Sequence, residues 1–333
     1  MSMMRAFVAK TTGPDAMLEP VELPITEPQS GQVLIEVKAS SLNPVDNVFL
    51  RMHLEGMSPE LPAALHGDVA GVVSAIGPGV DAFDVGDEVF GCPGGFKGHG
   101  GALADFMLAD VRLLARKPLS FDFPQAAALP LVTLTAWEGL IDRAGLQPAQ
   151  HVLIQGGCGG VGHAAIQIAK AHGARVATTI SSDAKAEIAR GLGAEEIINY
   201  REESVAQYID RLTGGEGFDI VYDTVGGAVL DQSFQAARRK GQVINILGFA
   251  SHDLSPAFRR GITLHFENMT LPLLTGQGRD RQGEILRQAA ELAEAGKLKP
   301  LIDPNSFTFA QANEAHALYE SKKHVGKIVL TRS

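Results

Sequence analysis

Cysteine is nearly missing from this chain: Cys92 and Cys158 are the only two in 333 residues. Two thiols exclude a disulfide framework and a four-cysteine zinc site. Positive charge is also scarce. Lysine and arginine number 29 against 38 aspartates and glutamates, a net charge of −9 with histidine neutral. That balance argues against general affinity for nucleic acid or anionic lipid, yet leaves room for a local basic pocket around a phosphate. No apolar run approaches the ~18 residues that would span a bilayer. The opening MSMMRAFVAK lacks the apolar core and small-residue cleavage site of a secretory signal. These features predict a reducing, cytoplasmic setting. Internal repeats and low-complexity linkers are absent as well. What is present, 45% hydrophobic and 20% charged residues, suits an ordinary globular chain. Its length fits about two domains.

The first ~120 residues read as β-rich. QVLIEVKAS, VAGVVSAIG and GDEVFG are short Val/Ile runs punctuated by Gly, Pro and Asp. CPGGFKGHGGALADF, residues 92–106, reads as a glycine-rich surface loop beside a cleft. From residue 121 the pattern changes. FPQAAALPLVTLTAWEGLID is helical in pattern, and short apolar strands then alternate with helices. The order is HVLIQ, the helix VGHAAIQIAKAHG with Gly173 as its cap, ARVATTIS and the helix DAKAEIARGLG. EEIINY, the helix EESVAQYIDRLTGG, FDIVYDTVG, the helix AVLDQSFQAARRKG, and GQVINILG follow. Such alternation predicts an α/β doubly wound parallel sheet. ITLHFENM reads as one more strand, RDRQGEILRQAAELAEAGKLKP as an amphipathic helix, and GKIVL as a terminal strand whose docking no local pattern specifies.

Residues 157–162, GCGGVG, fit G-x-G-x-x-G between a strand and a helix. Gly157 is expected to permit the tight turn, Gly159 to let a pyrophosphate approach, and Gly162 to let helix and strand pack closely. The pyrophosphate would sit on the free N–H groups at the helix start, with Gly160 and Val161. An NAD site usually carries Asp or Glu at the end of the second strand, against the ribose 2′-hydroxyl. Here ARVATTI ends at Ile180, followed by Ser181, Ser182 and then Lys185. Hydroxyls and an ammonium suit a 2′-phosphate, which a carboxylate would repel. Asp183 complicates this, and is expected to be the N-cap of the next helix. NADP is therefore favoured over NAD.

Taken in order, SSLNPVD (40–46), HGDVAGVV (66–73), VGDEVFG (85–91), LTAWEGL (134–140), GGVG (159–162), LGAEEIINYREE (192–203), FDIVYDTVGG (218–227) and GKIVL make the chain resemble a known family. It is the medium-chain dehydrogenase/reductase superfamily, in particular its zinc-free quinone oxidoreductase, zeta-crystallin-like branch. The resemblance implies a β-rich GroES-like catalytic domain, residues 1–123 and 272–333, around a Rossmann domain, residues 124–271. It implies homodimers or homotetramers joined at the Rossmann sheet edge, near GITLHFENM. It places Asn43 and Thr135 at the nicotinamide and substrate, and Ser181, Lys185 and Tyr200 at the 2′-phosphate. Thr224, Val225, Leu247, Gly248 and Phe249 would close over the nicotinamide ribose and ring.

The zinc ligands of related alcohol dehydrogenases are replaced: Asn43 stands for the early cysteine, Gly67 for the histidine, and LVTLTAW offers no cysteine. No zinc is expected. His66 reads as a satisfied or cleft-lining residue, and His66, Asp68, Cys92 and His99 have no recognisable ligand spacing. Val48 stands where some relatives have a tyrosine proton donor, and Asp46 reads as structural. Cys158 reads as a space filler. Without a Lewis acid, hydride chemistry suits acceptors that delocalise their own charge. The expectation is an NADPH-dependent reductase of a quinone or α,β-unsaturated carbonyl. The alternatives are a 2-alkenal or enoyl reductase, a zinc alcohol dehydrogenase-like enzyme, and a non-enzymatic structural or RNA-binding protein. The phosphate reading makes a direct prediction. Lys185→Ala weakens NADPH binding by about tenfold or more and leaves NADH nearly unchanged. Equal losses for both nucleotides in a titration would contradict it.

Overall fold

The computed structural model describes residues 2–332. The chain divides into two compact units. One comprises residues up to 131, 270–296 and 300 onward; the other comprises 132–269 and 297–299.

The first unit is organised by the long strand Gln32–Leu42, which pairs antiparallel with Asp68–Ile76, Phe106–Asp110 and the C-terminal strand Ile328–Thr331. A smaller sheet joins Met3–Ala9, Leu18–Pro24 and Ala63–Ala64. The docking of the tail is thereby settled. Ile328 lies opposite Leu42 and Thr331 opposite Ala39, a register that sets Lys327 beside the turn at Asn43. The 92–106 segment differs from the expected surface loop. Cys92 to Phe96 and Gly101 to Ala104 are buried. Its glycines let backbone pack on backbone. A Cβ at Gly94 would lie 2.0 Å from the Gly100 carbonyl oxygen, and one at Gly101 would lie 2.1 Å from that of Leu65.

In the second unit six strands lie parallel, in the order Glu196–Asn199, Arg175–Ile180, His151–Gln155, Phe218–Asp223, Ala237–Asn245, Thr263–Phe266. This is the doubly wound order expected of a dinucleotide-binding sheet. The helix Gly160–Ala171 ends just before Gly173, which takes a positive φ of 80° as a cap glycine should.

Two elements depart from the sequence reading. The stretch 121–140 is broken into Phe123–Ala127 and Pro130–Trp137, because a proline at 130 starts a helix but cannot continue one. A π-helical turn, Glu138–Arg143, follows. The buried Tyr222 hydroxyl donates to the Thr135 carbonyl at 2.7 Å, the oxygen that an α-helical Gly139 N–H would use. Gly139 leaves room for that ring, since a Cβ there would lie 2.6 Å from it. An inserted side chain of this kind widens a helix. Second, the helix at 228 stops at Ala236, and Ala237–Asn245 is strand. Ala237 pairs with Phe218 and Gln242 with Ile220, so Arg238, Arg239 and Lys240 fall in the irregular stretch between these pairs, where Lys240 takes a left-handed φ of 58° that no helix allows.

Candidate functional site

The sequence-predicted nucleotide residues gather at the carboxyl edge of the parallel sheet, where such ligands sit. Gly156, not Gly157, carries the left-handed turn, with φ 75°. Gly157 is needed for a different reason: a Cβ would lie 2.2 Å from Thr178 Oγ1. At Gly162 a Cβ would lie 2.2 Å from the Gly156 carbonyl oxygen, so helix and loop touch through backbone. Gly159 is the N-cap of the helix that begins Gly160–Val161–Gly162. This cradle fits a dinucleotide pyrophosphate, since the helix start presents free N–H groups and side chains are excluded where the loop is tightest.

The residues expected at the ribose are brought together by backbone contacts. Tyr200, 55% exposed, follows the outer strand, and its N–H donates to the Ile180 carbonyl at 3.2 Å. That contact sets it beside Ser181. Ser182, not Asp183, is the N-cap by backbone geometry, and Asp183 is the first helical residue. Its charge suits the helix N-terminus there. Lys185 lies in the same first turn. The Cys158 thiol, expected only to fill space, donates to the Lys185 carbonyl at 3.2 Å and ties the glycine loop to that turn.

The other predicted turns meet each other. Thr224 Oγ1 donates to the Gln155 carbonyl at 2.6 Å. A Cβ on Gly156 would lie 3.1 Å from Thr224 Oγ1 and 3.2 Å from Val225. Gly226 packs on Leu247, and Gly248 faces the Phe266 ring. Phe249 is 79% exposed. Thr135 is buried on the helix Pro130–Trp137.

Asn43 belongs to the other unit, in a buried polar hub that the sequence reading did not foresee. Asp68 Oδ2 accepts from Ser41 Oγ at 2.7 Å, Asn43 Nδ2 at 2.8 Å and Lys327 Nζ at 3.3 Å, while Oδ1 accepts from the Leu131 N–H at 2.8 Å. The Lys327 ammonium also donates to the Leu42 carbonyl at 3.0 Å and to Asn43 Oδ1. Asp68 and Lys327 are 0% and 2% exposed. Asp46, expected to be structural, accepts from the Asn43 N–H at 2.7 Å. Burial raises its carboxyl to about 7. His66 has a left-handed φ of 70°. Its Nε2 faces His316 Nε2 at 3.2 Å, and His316 Nδ1 meets Asn47 Oδ1 at 3.1 Å. His66 is thus a satisfied core residue.

This donor set does not fit a catalytic zinc. Among the described residues no three His, Cys, Asp or Glu side chains group as ligands, the set His66, Asp68, Cys92 and His99 included. Position 67 has no room for a ligand, because a Cβ there would lie 2.7 Å from the Gly94 carbonyl oxygen and 2.8 Å from Cys92 Sγ. The Asn43 oxygen already faces an ammonium. Burial pushes the Cys92 thiol well above its ordinary range, away from the thiolate a metal needs.

Comparison with known proteins identifies the family. Residues 29–119 match the family described as alcohol dehydrogenase GroES-like domain, and residues 192–330 match zinc-binding dehydrogenase. The chain is 32% identical over 324 residues to an NADPH-dependent alkenal/one oxidoreductase, chloroplastic, of Arabidopsis thaliana, covering 96% of this chain and 76% of that one. A solved alcohol dehydrogenase superfamily protein from Novosphingobium aromaticivorans superposes with a TM-score of 0.94 at 42% identity, covering 99% of this chain and 100% of that one. A quinone oxidoreductase from Coxiella burnetii superposes with a TM-score of 0.84 at 29% identity, covering 100% of both.

Two predictions follow from the hub and the histidine pair. Lys327→Met strands a buried carboxylate, and Asp68→Asn strands a buried ammonium. Each costs ~3–5 kcal/mol. The double variant costs clearly less than their sum, and simple additivity in urea unfolding would contradict the pairing. Burial holds His316 at about 4, with Arg51 adding to the effect. The unfolded imidazole titrates near its ordinary 6.5 and takes a proton that the folded one refuses. Stability is therefore full above pH ~6.5 and is lost as pH falls toward ~4. Between those limits wild type loses roughly 2–3 kcal/mol more than His316→Gln, and parallel pH curves would refute this.

Proposed function

Because the chain belongs to the medium-chain dehydrogenase/reductase superfamily, in its zinc-free quinone oxidoreductase-like branch, we propose that it is an NADPH-dependent reductase of quinones or α,β-unsaturated carbonyls. The chain is an oxidoreductase; the choice of nucleotide and of acceptor is the proposal. One observation carries it. A glycine cradle closed to side chains leads to a strand whose last residue is Ile180 and not an acid, followed by Ser181, Ser182 and, past Asp183 in the first helical turn, Lys185, with Tyr200 held beside Ile180.

Gly157, Gly159, Gly160, Val161 and Gly162 would hold the pyrophosphate through backbone N–H groups. Ser181, Ser182, Lys185 and Tyr200 would hold the 2′-phosphate by hydroxyl donors and charge. Thr135, Thr224, Val225, Leu247, Gly248 and Phe249 would line the nicotinamide half. The bound nucleotide supplies a hydride. Asn43 gives one amide N–H to Asp68, Lys327 fixes its carbonyl side, and its second N–H would serve the acceptor oxygen. A neutral donor of that kind suits an acceptor that spreads its developing charge over a conjugated system, rather than an isolated ketone. The residues at the zinc positions support chemistry without a metal.

Edge strand Thr263–Phe266, with Phe258 and Phe266 exposed near it, supports assembly of two copies along that edge. The cysteine and charge content supports a cytoplasmic setting.

The test is a panel of quinones, enones and enals with NADPH and NADH, run beside a gel shift with RNA and sedimentation of the same sample. The proposal expects faster NADPH oxidation with at least one conjugated acceptor, no RNA shift, and a dimer or tetramer. No turnover with any acceptor, together with tight RNA binding, would overturn it.

A further inference from the structure

The carboxyl edge of the sheet carries polar side chains that a strand core does not need. Gln155, Asp223 and Asn245 end three neighbouring strands, and they are register partners: Gln155 opposite Asp223, and Asp223 opposite Asn245. Asp223 and Asn245 are fully buried. Burying a carboxylate is costly unless donors surround it, and here they do. Asp223 Oδ1 accepts from the N–H groups of Val225 and Gly226, both at 2.9 Å. Its Oδ2 accepts from Asn245 Nδ2 at 2.9 Å. Asn245 Oδ1 in turn accepts from the Leu247 N–H at 3.0 Å.

Each side chain thus grips the turn that follows its own strand, and the two side chains grip each other. The turns they hold also touch: a Cβ at Gly226 would lie 2.9 Å from the Leu247 Cβ. An ordinary strand pair needs only apolar residues at these positions, as Ile220 and Val221 provide one turn of the pleat earlier. A neutral group on the strand Arg175–Ile180 holds the turn that follows its neighbour His151–Gln155. Thr179 Oγ1 accepts from the Gly156 N–H at 2.9 Å and donates to Gln155 Oε1 at 2.9 Å.

We propose that Asp223 and Asn245 are a positioning pair, a clasp that sets the 224–226 and 247 turns against each other and so fixes the seat of the nicotinamide ring. Both side chains are fully buried and would act through the turns they hold. The inference rests on the NADPH reading above and adds residues to which that reading gave no role.

A reciprocal exchange tests it. Asp223→Asn sets amide against amide, and Asn245→Asp sets carboxylate against carboxylate. The double variant D223N/N245D keeps every hydrogen bond with the roles exchanged. The amide oxygen at 223 accepts from the turn, its NH2 donates to the carboxylate at 245, and that carboxylate's second oxygen accepts from Leu247. The readouts are kcat, the ratio of KM for NADPH and NADH, the face of C4 from which deuterated NADPH transfers, and Tm. Each single variant is expected to lose about tenfold or more in kcat and to transfer from both faces. The NADPH-to-NADH ratio, set at Ser181 and Lys185, stays put. The double variant returns to within about threefold of wild type in kcat and recovers a single face. Should a single variant fail to fold, Asn245→Ala takes its place, since it opens the clasp without adding repulsion. Folded single variants with wild-type kcat and one-faced transfer overturn the inference. So does a double variant no better than the worse single. A wild type that turns over no acceptor with NADPH sinks the functional reading itself, and the clasp with it.

Discussion

One buried carboxylate, Asp68, organises the first unit. Four donors from distant parts of the chain converge on it: Ser41 and Asn43 from the end of the long strand, Leu131 from the start of a helix, and Lys327 from the tail. In a dry interior a charge survives only when its partner and its hydrogen bonds are all in place. The hub therefore does more than add stability. It demands that the C-terminal strand dock with Lys327 beside Asn43, because any other register would leave two charges stranded. Ion pairing here specifies where the tail goes, and apolar packing alone would not.

The same hub bears on chemistry. Zinc dehydrogenases of this superfamily are implied to hold a cation near the positions of Asn43 and Gly67. This chain supplies its own cation, an ammonium on a four-carbon stem, and closes position 67 against Gly94 and Cys92. An amide fixed by Lys327 and Asp68 is a donor without Lewis acidity. That difference, rather than the fold, is what steers the proposal toward conjugated acceptors. The nucleotide edge shows a parallel economy. Buried Thr179, Asp223 and Asn245 take the N–H groups of Gly156, Val225 and Leu247, and so hold the turns on which the nucleotide would rest.

Much of this was legible in the sequence. The strand–helix alternation gave the parallel sheet, because period and length are local signals. The glycine spacing marked the cradle, although the left-handed turn belongs to Gly156, one residue before the motif. Other features had no local signal. Arg238–Lys240 looks helical and becomes the irregular stretch of a strand, since the pairing of Ala237 and Gln242 on either side of it decides its path. The glycines of 92–106 suggested a surface loop beside a cleft, yet they serve backbone-to-backbone packing that becomes visible only once Leu65 and Gly100 are in place. Lys327 was an ordinary lysine in GKIVL until its partner 259 residues away was known. The clasp had a faint signal that went unread: HVLIQ, FDIVYD and GQVIN each close an apolar run with one polar residue.

The central claim is hydride transfer from NADPH to a conjugated acceptor by the chain's own residues, with no metal in the site. The most direct measurement uses protein stripped with a chelator, shown metal-free by elemental analysis, and supplied with an enone and NADPH deuterated at C4. The account predicts one deuterium at the β-carbon of the product, at a rate that added zinc does not raise. Deuterium transfer that appears only when zinc is restored would contradict it.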